Sequence, residues 1–244
     1  MERSQINKWI QEAKDFFNEF QWKLPPFAFW SLDKWQKIMQ DVKLRAKHAM
    51  IIDNGLGWDV SDFGSNDFEH SGLLLFTMRN GNIGSNKDYA EKIMIQRDGQ
   101  VTPFHYHWTK TEDIINRGGG NLMVEVYNAH PKDSPNPSTK WQNGKFAENP
   151  VIYTHDGIKD SVPAGTVIKL TPGESITIPP RLYHSFWGEK DEGWVLVGEV
   201  SKVNDDNTDN RFYRQLPRFN DIENDEKPVH VLLNEYDQVL DFDF

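Results

Sequence analysis

The sequence predicts a mainly β domain of sandwich or barrel type, with helices ahead of it and an irregular extension behind it. Three observations lead there. Apolar residues recur at helical spacing near the N-terminus, short apolar runs separated by turn residues fill the middle, and a highly polar run follows Ser201. The chain of 244 residues fits one large all-β domain with terminal extensions. With nine Trp and fifteen Phe it has apolar volume for a core.

From Gln5 to Phe20, the residues Trp9, Ile10, Ala13, Phe16, Phe17 and Phe20 share one helical face, and Lys8, Glu12, Lys14 and Asp15 take the other. Such stripes are docking surfaces before they are ligand boxes. Leu24-Pro25-Pro26 stops this helix, and Ser31 offers an N-cap for a second one reaching about His48. Past Gly55 and Gly57 the pattern becomes that of strands. Leu73 to Met78 is the first, and Asn80-Gly81-Asn82 marks a turn after it. In Lys92 to Gln96, alternation puts Lys92, Met94 and Gln96 on one face and Ile93 and Ile95 on the other, and Asp98-Gly99 marks a hairpin. Further strands are predicted at Leu122 to Tyr127, Thr166 to Leu170, Ser175 to Ile178 and Trp194 to Val200. Asn128 to Asn149 is polar and holds three prolines, as expected of a long surface excursion. Asn204 to Asn210 is too polar for a strand interior, and the final forty residues should wrap the barrel or a partner subunit. The expected division is a helical extension over 1–60, the barrel over 61–201 and a C-terminal extension over 202–244.

A formal net charge of −10 excludes a general nucleic-acid binder and disfavours anionic membranes, because both need a basic surface. There is no apolar run of about 20 residues and no basic and apolar leader at Met1 to Gln5, so a cytoplasmic protein is expected. With no cysteine, disulfides, thiolate chemistry and finger-type zinc sites are excluded, and any metal must take nitrogen and oxygen ligands.

The informative segment is Gly99 to Gly120, GQVTPFHYHWTKTEDIINRGGG. His105 and His107 are two apart, so on a strand both imidazoles leave the same face and can meet one ion. Glu112 adds an anionic oxygen after a short turn, and His184 a third imidazole far downstream. The two segments resemble the paired motifs of the cupins, proteins built on a double-stranded β-helix or jelly-roll barrel. The first motif, G-x5-H-x-H-x4-E-x6-G, is matched from Gly99 through His105, His107 and Glu112 to Gly119. The second is matched at Gly173, Pro179 and His184, while Arg181 and Gly188 stand where a Gly and an Asn are usual. A lone histidine is ordinarily a packed core residue, but four ligand types at matched spacing point to a metal site. His48, His70, His130, His155 and His230 fall outside the motifs and read as structural or surface residues. Three imidazoles and one carboxylate leave room for two more ligands, which suits octahedral Mn²⁺, Fe²⁺, Co²⁺ or Ni²⁺ better than four-coordinate zinc. Manganese is the expected ion.

Cupin geometry alone names no reaction. A closer resemblance does: HYHWTKTEDIINRGGGNL, the later GEVSKVNDDNTDNRF and the segment Leu24 to Trp30 look like the D-lyxose ketol-isomerase family. It implies conversion of an aldose to a ketose, D-lyxose to D-xylulose and often D-mannose to D-fructose, by a homodimeric manganese-dependent cupin. An ion with two open positions can chelate the carbonyl and adjacent hydroxyl of the sugar and stabilise a cis-enediol formed when a base takes the C2 proton. The aromatic-rich N-terminal helices also offer apolar stripe for a dimer contact.

Glu199 follows Val195 and Val197 on an otherwise apolar strand face, so burial should raise its pKa and suit it to acid–base work, unless it serves in a strand-end ion pair. Lys92 is either a surface lysine or a cation lining a polar interior, where it could bind substrate or take part in proton transfer. Glu223 lies in a charge run and is the weaker acid–base candidate. Asp209 and Arg211 could bind sugar hydroxyls or hold their loop, and Trp30, Trp108 and Phe186 could form the wall against which a sugar stacks. A cupin dioxygenase or oxalate-type enzyme, and a non-catalytic sugar-binding cupin, are the alternatives. The charged candidates favour a polyol substrate over the apolar substrate of a dioxygenase.

Overall fold

The computed structural model describes residues 1–133, 143–206 and 208–242. Its first helix, α1 (Arg3–Glu19), turns Ile6, Ile10, Ala13 and Phe17 to one side, as the apolar spacing requires. Pro25 and Pro26 end that run and start a 3-10 turn, Pro26–Phe29. The expected second helix is three. Ser31 caps α2 (Leu32–Gln40) by accepting the Lys34 N–H at 3.3 Å. Asp41 then leaves the helix with an extended backbone and caps α3 (Val42–Lys47), accepting from the Lys43 and Leu44 N–H groups at 2.8 and 3.1 Å. A short α4 (Ala49–Asp53) follows. An Asp side chain competes well for the first free N–H groups of a helix, so the chain restarts at Asp41 instead of running through it.

Fourteen strands form two curled antiparallel sheets among the described residues. They are β1 (Gly57–Ser61), β2 (Leu73–Asn80), β3 (Tyr89–Gln96), β4 (Val101–His107), β5 (Glu112–Gly119), β6 (Leu122–Ala129) and β7 (Phe146–Ala147). They continue with β8 (Val151–His155), β9 (Ile158–Val162), β10 (Thr166–Leu170), β11 (Ser175–Ile178), β12 (Leu182–Gly188), β13 (Val195–Lys202) and β14 (Asn210–Phe212). The larger sheet runs β1-β2-β3-β13-β5-β11-β8-β9 and the smaller β10-β6-β12-β4-β14, with β7 beside β6. This is the expected jelly-roll barrel with N-terminal helices.

Two expectations change here. Asp98-Gly99 is a corner and not a hairpin: β3 and β4 lie in different sheets, and the Gly99 N–H donates to the Gly188 carbonyl at 3.0 Å. Gly99, at φ +65°, supplies the left-handed residue that such a change of sheet needs. The excursion over 128–149 is not wholly irregular, since β7 pairs with the end of β6, and its residues 134–142 lie outside the described ones. Asn210, the end of the polar run, opens the short strand β14, and Asn207 of that run also lies outside the described residues.

Both faces of the larger sheet are covered near its β1 end. Leu73, Leu75, Met94, Val195 and Val197 point into the barrel against Val124, Val126, Leu182 and Phe186 of the smaller sheet. Leu74, Phe76, Ile93, Ile95 and Leu196 point out against α1. This double burial explains why Leu73 to Phe76 is a continuous apolar run, as strands covered on both sides are. Most of the α1 stripe is therefore buried within its own chain. The C-terminal segment returns along the barrel, pairs as β14 with β4, and ends in a 3-10 helix, Leu233–Asp241, packed through Tyr236 and Val239 on Trp35 and Ile38 of α2. Fully buried Arg3 donates to Glu235 Oε2 at 3.1 Å and joins the two ends.

Candidate metal centre

Antiparallel pairing of β4 with β12 sets His105 directly opposite His184, and His107 leaves the same face two residues on. After His107 the chain crosses to the other sheet through a connection held by Asp209. The Asp209 carboxylate accepts from the Thr109 N–H at 2.9 Å, the Thr109 hydroxyl at 2.8 Å and the Lys110 N–H at 3.2 Å. Glu112, the first residue of β5, then faces the three imidazoles from the larger sheet. Gly119 ends this strand where a Cβ would stand 2.1 Å from the Trp194 carbonyl, so the last glycine of the first motif is required by the close approach of β13. In the second motif Arg181 keeps the left-handed backbone of the glycine it replaces, at φ +65°. Its guanidinium donates to the His130 and Asp133 carbonyls at 3.1 and 3.0 Å and covers the Tyr106 and Trp108 rings, contacts that hold the side chain in place.

The ligand atoms of His105, His107, Glu112 and His184 all lie within 4.8 Å of one another. His105 and His184 donate Nδ1–H to the Pro103 and Leu182 carbonyls at 2.8 and 3.1 Å, which leaves the Nε2 lone pairs facing inward. His107 Nε2 and His184 Nε2 stand 3.2 and 3.0 Å from Glu112 Oε1, yet none of the three buried atoms has an aligned hydrogen-bond partner. Metal bonds of about 2.0–2.2 Å meeting at right angles put neighbouring ligand atoms about 3 Å apart, so the donor set fits a divalent ion. Such an ion would also satisfy buried polar atoms that are otherwise costly. Burial, followed by the neighbouring His184 and His107, pushes His105 well below its usual pKa. Burial and Lys110 lower His107, so both imidazoles are neutral and can ligate. Burial opposes ionisation of Glu112, but Lys110 outweighs it and holds the carboxyl well below its ordinary range.

Beside the cluster runs a chain of buried charges. Lys110 Nζ lies 2.6 Å from Glu112 Oε2 and 3.0 Å from Glu199 Oε1; Lys92, paired in register with Glu199, approaches it at 3.3 Å. The Ser201 hydroxyl donates to the same Glu199 oxygen at 2.8 Å. The expectation for Glu199 is corrected in sign. Burial does push its pKa up, but Lys110 and Lys92 outweigh burial and the carboxyl is lowered. On the far wall, Asp206 is likewise lowered, its burial outweighed by Lys92, Arg218 and Lys110.

Of the residues singled out from sequence, the four ligand candidates, Lys92, Glu199 and Phe186 line one cavity. The others lie elsewhere. Trp30 packs with Trp35 and His48 among the helices, and Glu223 pairs through its backbone with the N-terminus. Trp108 rests on Tyr106 under Arg181. Asp209 holds the 108–112 connection, and Arg211 lies 3.1 Å from Asp133. The phase of β14 decides the last case. Asn210 and Phe212 pair with His107 and His105 and face inward, whereas Arg211 pairs with Tyr106 and faces out. Lys110, Asp206, Asn210, Phe212 and Arg218 also line the cavity and were not singled out. Lys110 could have been noticed, since it stands among the four residues between His107 and Glu112, where the motif fixes direction but not residue type.

The model of the D-lyxose isomerase family matches residues 1–236. A D-lyxose/D-mannose isomerase of Serratia proteamaculans is 48% identical over 239 residues, covering 97% of this chain and 98% of that protein. One of Escherichia coli O157:H7 is 48% identical over 241 residues, covering 98% and 99%. Among solved structures, an L-ribose isomerase of Cellulomonas parahominis superposes with a TM-score of 0.54 at 15% identity, covering 88% of this chain and 93% of that one, which is a likeness of fold.

Proposed function

This chain belongs to the D-lyxose isomerase family, whose members interconvert aldoses and ketoses, and we propose that it converts D-lyxose to D-xylulose and D-mannose to D-fructose by proton transfer through a cis-enediol. The observation that carries the reading is the buried Glu199 carboxyl group, tied to the ligand cluster through Lys110 at 3.0 and 2.6 Å. Glu199 takes the proton from C2 of the sugar and returns it to C1, while the hydroxyl proton of O2 passes to the adjacent O1, so that the aldehyde oxygen becomes a hydroxyl and the C2 hydroxyl becomes the ketone. Lys110 and Lys92 keep that carboxylate ionised at neutral pH and fix its direction, and Lys92 also presents an N–H to a sugar oxygen. Phe186, with Leu75, Met94 and Phe212, supplies the apolar wall that limits water at the reacting carbons. His105, His107, Glu112 and His184 would hold a divalent ion, in our reading Mn²⁺, with Co²⁺, Ni²⁺ or Fe²⁺ able to replace it. When bound, that ion would supply Lewis acidity at the carbonyl and the adjacent hydroxyl. Glu223 has no part in this scheme, because it lies against the N-terminus.

The reading extends to the whole chain. We divide it into a helical extension over 1–60, the catalytic barrel over 61–201 and a C-terminal extension over 202–244, with β1 and β14 drawing residues 57–60 and 210–212 of the two extensions into the barrel sheets. The protein acts in the cytoplasm as a two-fold homodimer, for which the groove lined by Val101, Phe104, Trp187 and Leu216 on the outer face of the smaller sheet remains as a contact surface. Among the described residues, no helix is long and apolar enough to cross a membrane. The family assignment and the charged cavity wall set aside the dioxygenase and non-catalytic alternatives.

Conversion of D-mannose in deuterated water, carried to equilibrium, tests the route. Deuterium should enter D-fructose at C1. Wholly intramolecular passage of the C2 hydrogen to C1 would favour a hydride shift and remove the proton-transfer role of Glu199.

A further inference from the structure

We infer that Asn210 is a substrate-binding residue whose side-chain carbonyl accepts a hydrogen bond from a hydroxyl of the bound sugar. The inference rests on the reading above and names one contact that fixes the sugar within that site.

Asn210 is placed by the edge of the barrel. It opens β14, pairs in register with the ligand candidate His107, and therefore faces the cavity from the same side. Its amide is oriented by the chain itself. Nδ2 donates to the Asp206 backbone carbonyl at 2.8 Å, which assigns the nitrogen to one side and directs Oδ1 to the other. Oδ1 is buried and has no hydrogen-bond partner among the described residues. A buried amide carbonyl left unpaired is destabilising, so a fixed and unpaired acceptor beside the ligand cluster marks the place of a donor.

The surroundings select the donor's chemistry. Outside the unpaired ligand atoms, the charged groups of the wall already have partners: Lys110 has Glu112 and Glu199, Lys92 has Glu199, and Arg218 has Asp59. A cationic ligand would meet these ammonium and guanidinium groups, and an anionic one would meet the carboxylates. A neutral hydroxyl offers the hydrogen that Oδ1 lacks without bringing either conflict. Phe212, two residues on and also inward, closes the same strand with an apolar surface, so the contact lies at a boundary between a polar and an apolar wall, as a sugar with one hydroxylated edge requires.

The test uses D-arabinitol, the alditol of D-lyxose, and its monodeoxy derivatives, with binding measured by calorimetry on metal-loaded wild type and Asn210→Ala. The substitution should weaken D-arabinitol about 5- to 100-fold. One monodeoxy compound should bind wild type more weakly by a similar factor and be indifferent to the substitution, the signature of a shared contact. Metal content by elemental analysis should be unchanged. Where alanine impairs folding, Asn210→Leu removes the acceptor while keeping the branched shape and should behave alike. Unchanged D-arabinitol affinity, or an equal loss for D-arabinitol and every deoxy compound, would overturn the inference. Isomerisation of D-lyxose by wild type is scored separately. Its absence would remove the substrate reading, while the alditol pattern would still decide Asn210.

Discussion

Lys110 stands between two carboxylates in a cavity where neither is solvated, and this position decides what Glu199 can do. Lys110 at 3.0 Å and Lys92 at 3.3 Å hold its carboxyl below the ordinary glutamate pKa, which in the proposed mechanism leaves it available as a base across the neutral range. Glu199→Gln should therefore keep the metal and slow turnover by about 10²- to 10⁴-fold, the scale of a positioned general base. Elemental analysis and steady-state kinetics check both halves, and normal turnover would put the base elsewhere. Lys110→Met gives the complementary outcome. In the proposed mechanism the ionised form of Glu199 is the active one, so activity should be lost as pH falls through its pKa, which in wild type lies below the ordinary glutamate value. Removing Lys110 leaves burial opposed mainly by Lys92, so the acid limb of the kcat profile should move to higher pH. An unmoved limb would mean that Lys110 does not set the proton affinity of Glu199. Stability has the same sign. A carboxylate with a depressed pKa stabilises the fold above its unfolded pKa, and that contribution disappears as pH falls through the folded one.

At the scale of elements, the legible features are those written in repeated spacing. The α1 stripe, the pairs His105/His107 and Val195/Val197, and the run from Leu73 each carry their own phase, and the structure places them accordingly. What escaped depends on partners distant in sequence. Nothing local in Asp209-Asn210-Arg211-Phe212 says which residues face inward, because a three-residue edge strand takes its phase from β4, about a hundred residues earlier. Asp98-Gly99 has the residues of a hairpin, and only the pairing of β3 with β13 makes it a corner. Asp41 looks like a helix-surface residue until its side chain is seen to cap the next helix. The opposed faces of β2 and β3 explain the place of α1, which covers the outward set. Ile10, fully buried in that contact, should cost about 2–5 kcal/mol when replaced by alanine. Denaturant unfolding measures the loss, and metal content should be unchanged, because the ligands lie on the other side of the sheet. A loss below about 0.5 kcal/mol would mean that α1 docks without a packed interface.

For the whole molecule, the distribution of ligands between sheets matters more than their number. His105, His107 and His184 come from the smaller sheet and Glu112 from the larger, so one ion would join the two walls of the barrel. An ion that binds only the folded chain stabilises it by mass action, about 2.7 kcal/mol at a free concentration one hundred times Kd. For a chain of this size each kcal/mol moves Tm by about 2–4 °C, so exhaustive chelation should lower Tm by about 5–10 °C and abolish isomerisation together. Stepwise return of single metals should restore both, with Mn²⁺ restoring most activity. His105→Ala should resemble the chelated protein in Tm and in activity, and it should gain little from added Mn²⁺, because a ligand and its anchor to the Pro103 carbonyl are both lost. The two readouts separate the roles of the ion. Activity lost with Tm unchanged would leave the ion a catalyst that does not join the sheets, and Tm lowered with activity intact would make it structural. Full activity in protein shown by elemental analysis to be free of metal would sink the metal-dependent reading altogether, since Glu199 would then have to remove the C2 proton without any cation at the sugar carbonyl beyond Lys110 and Lys92.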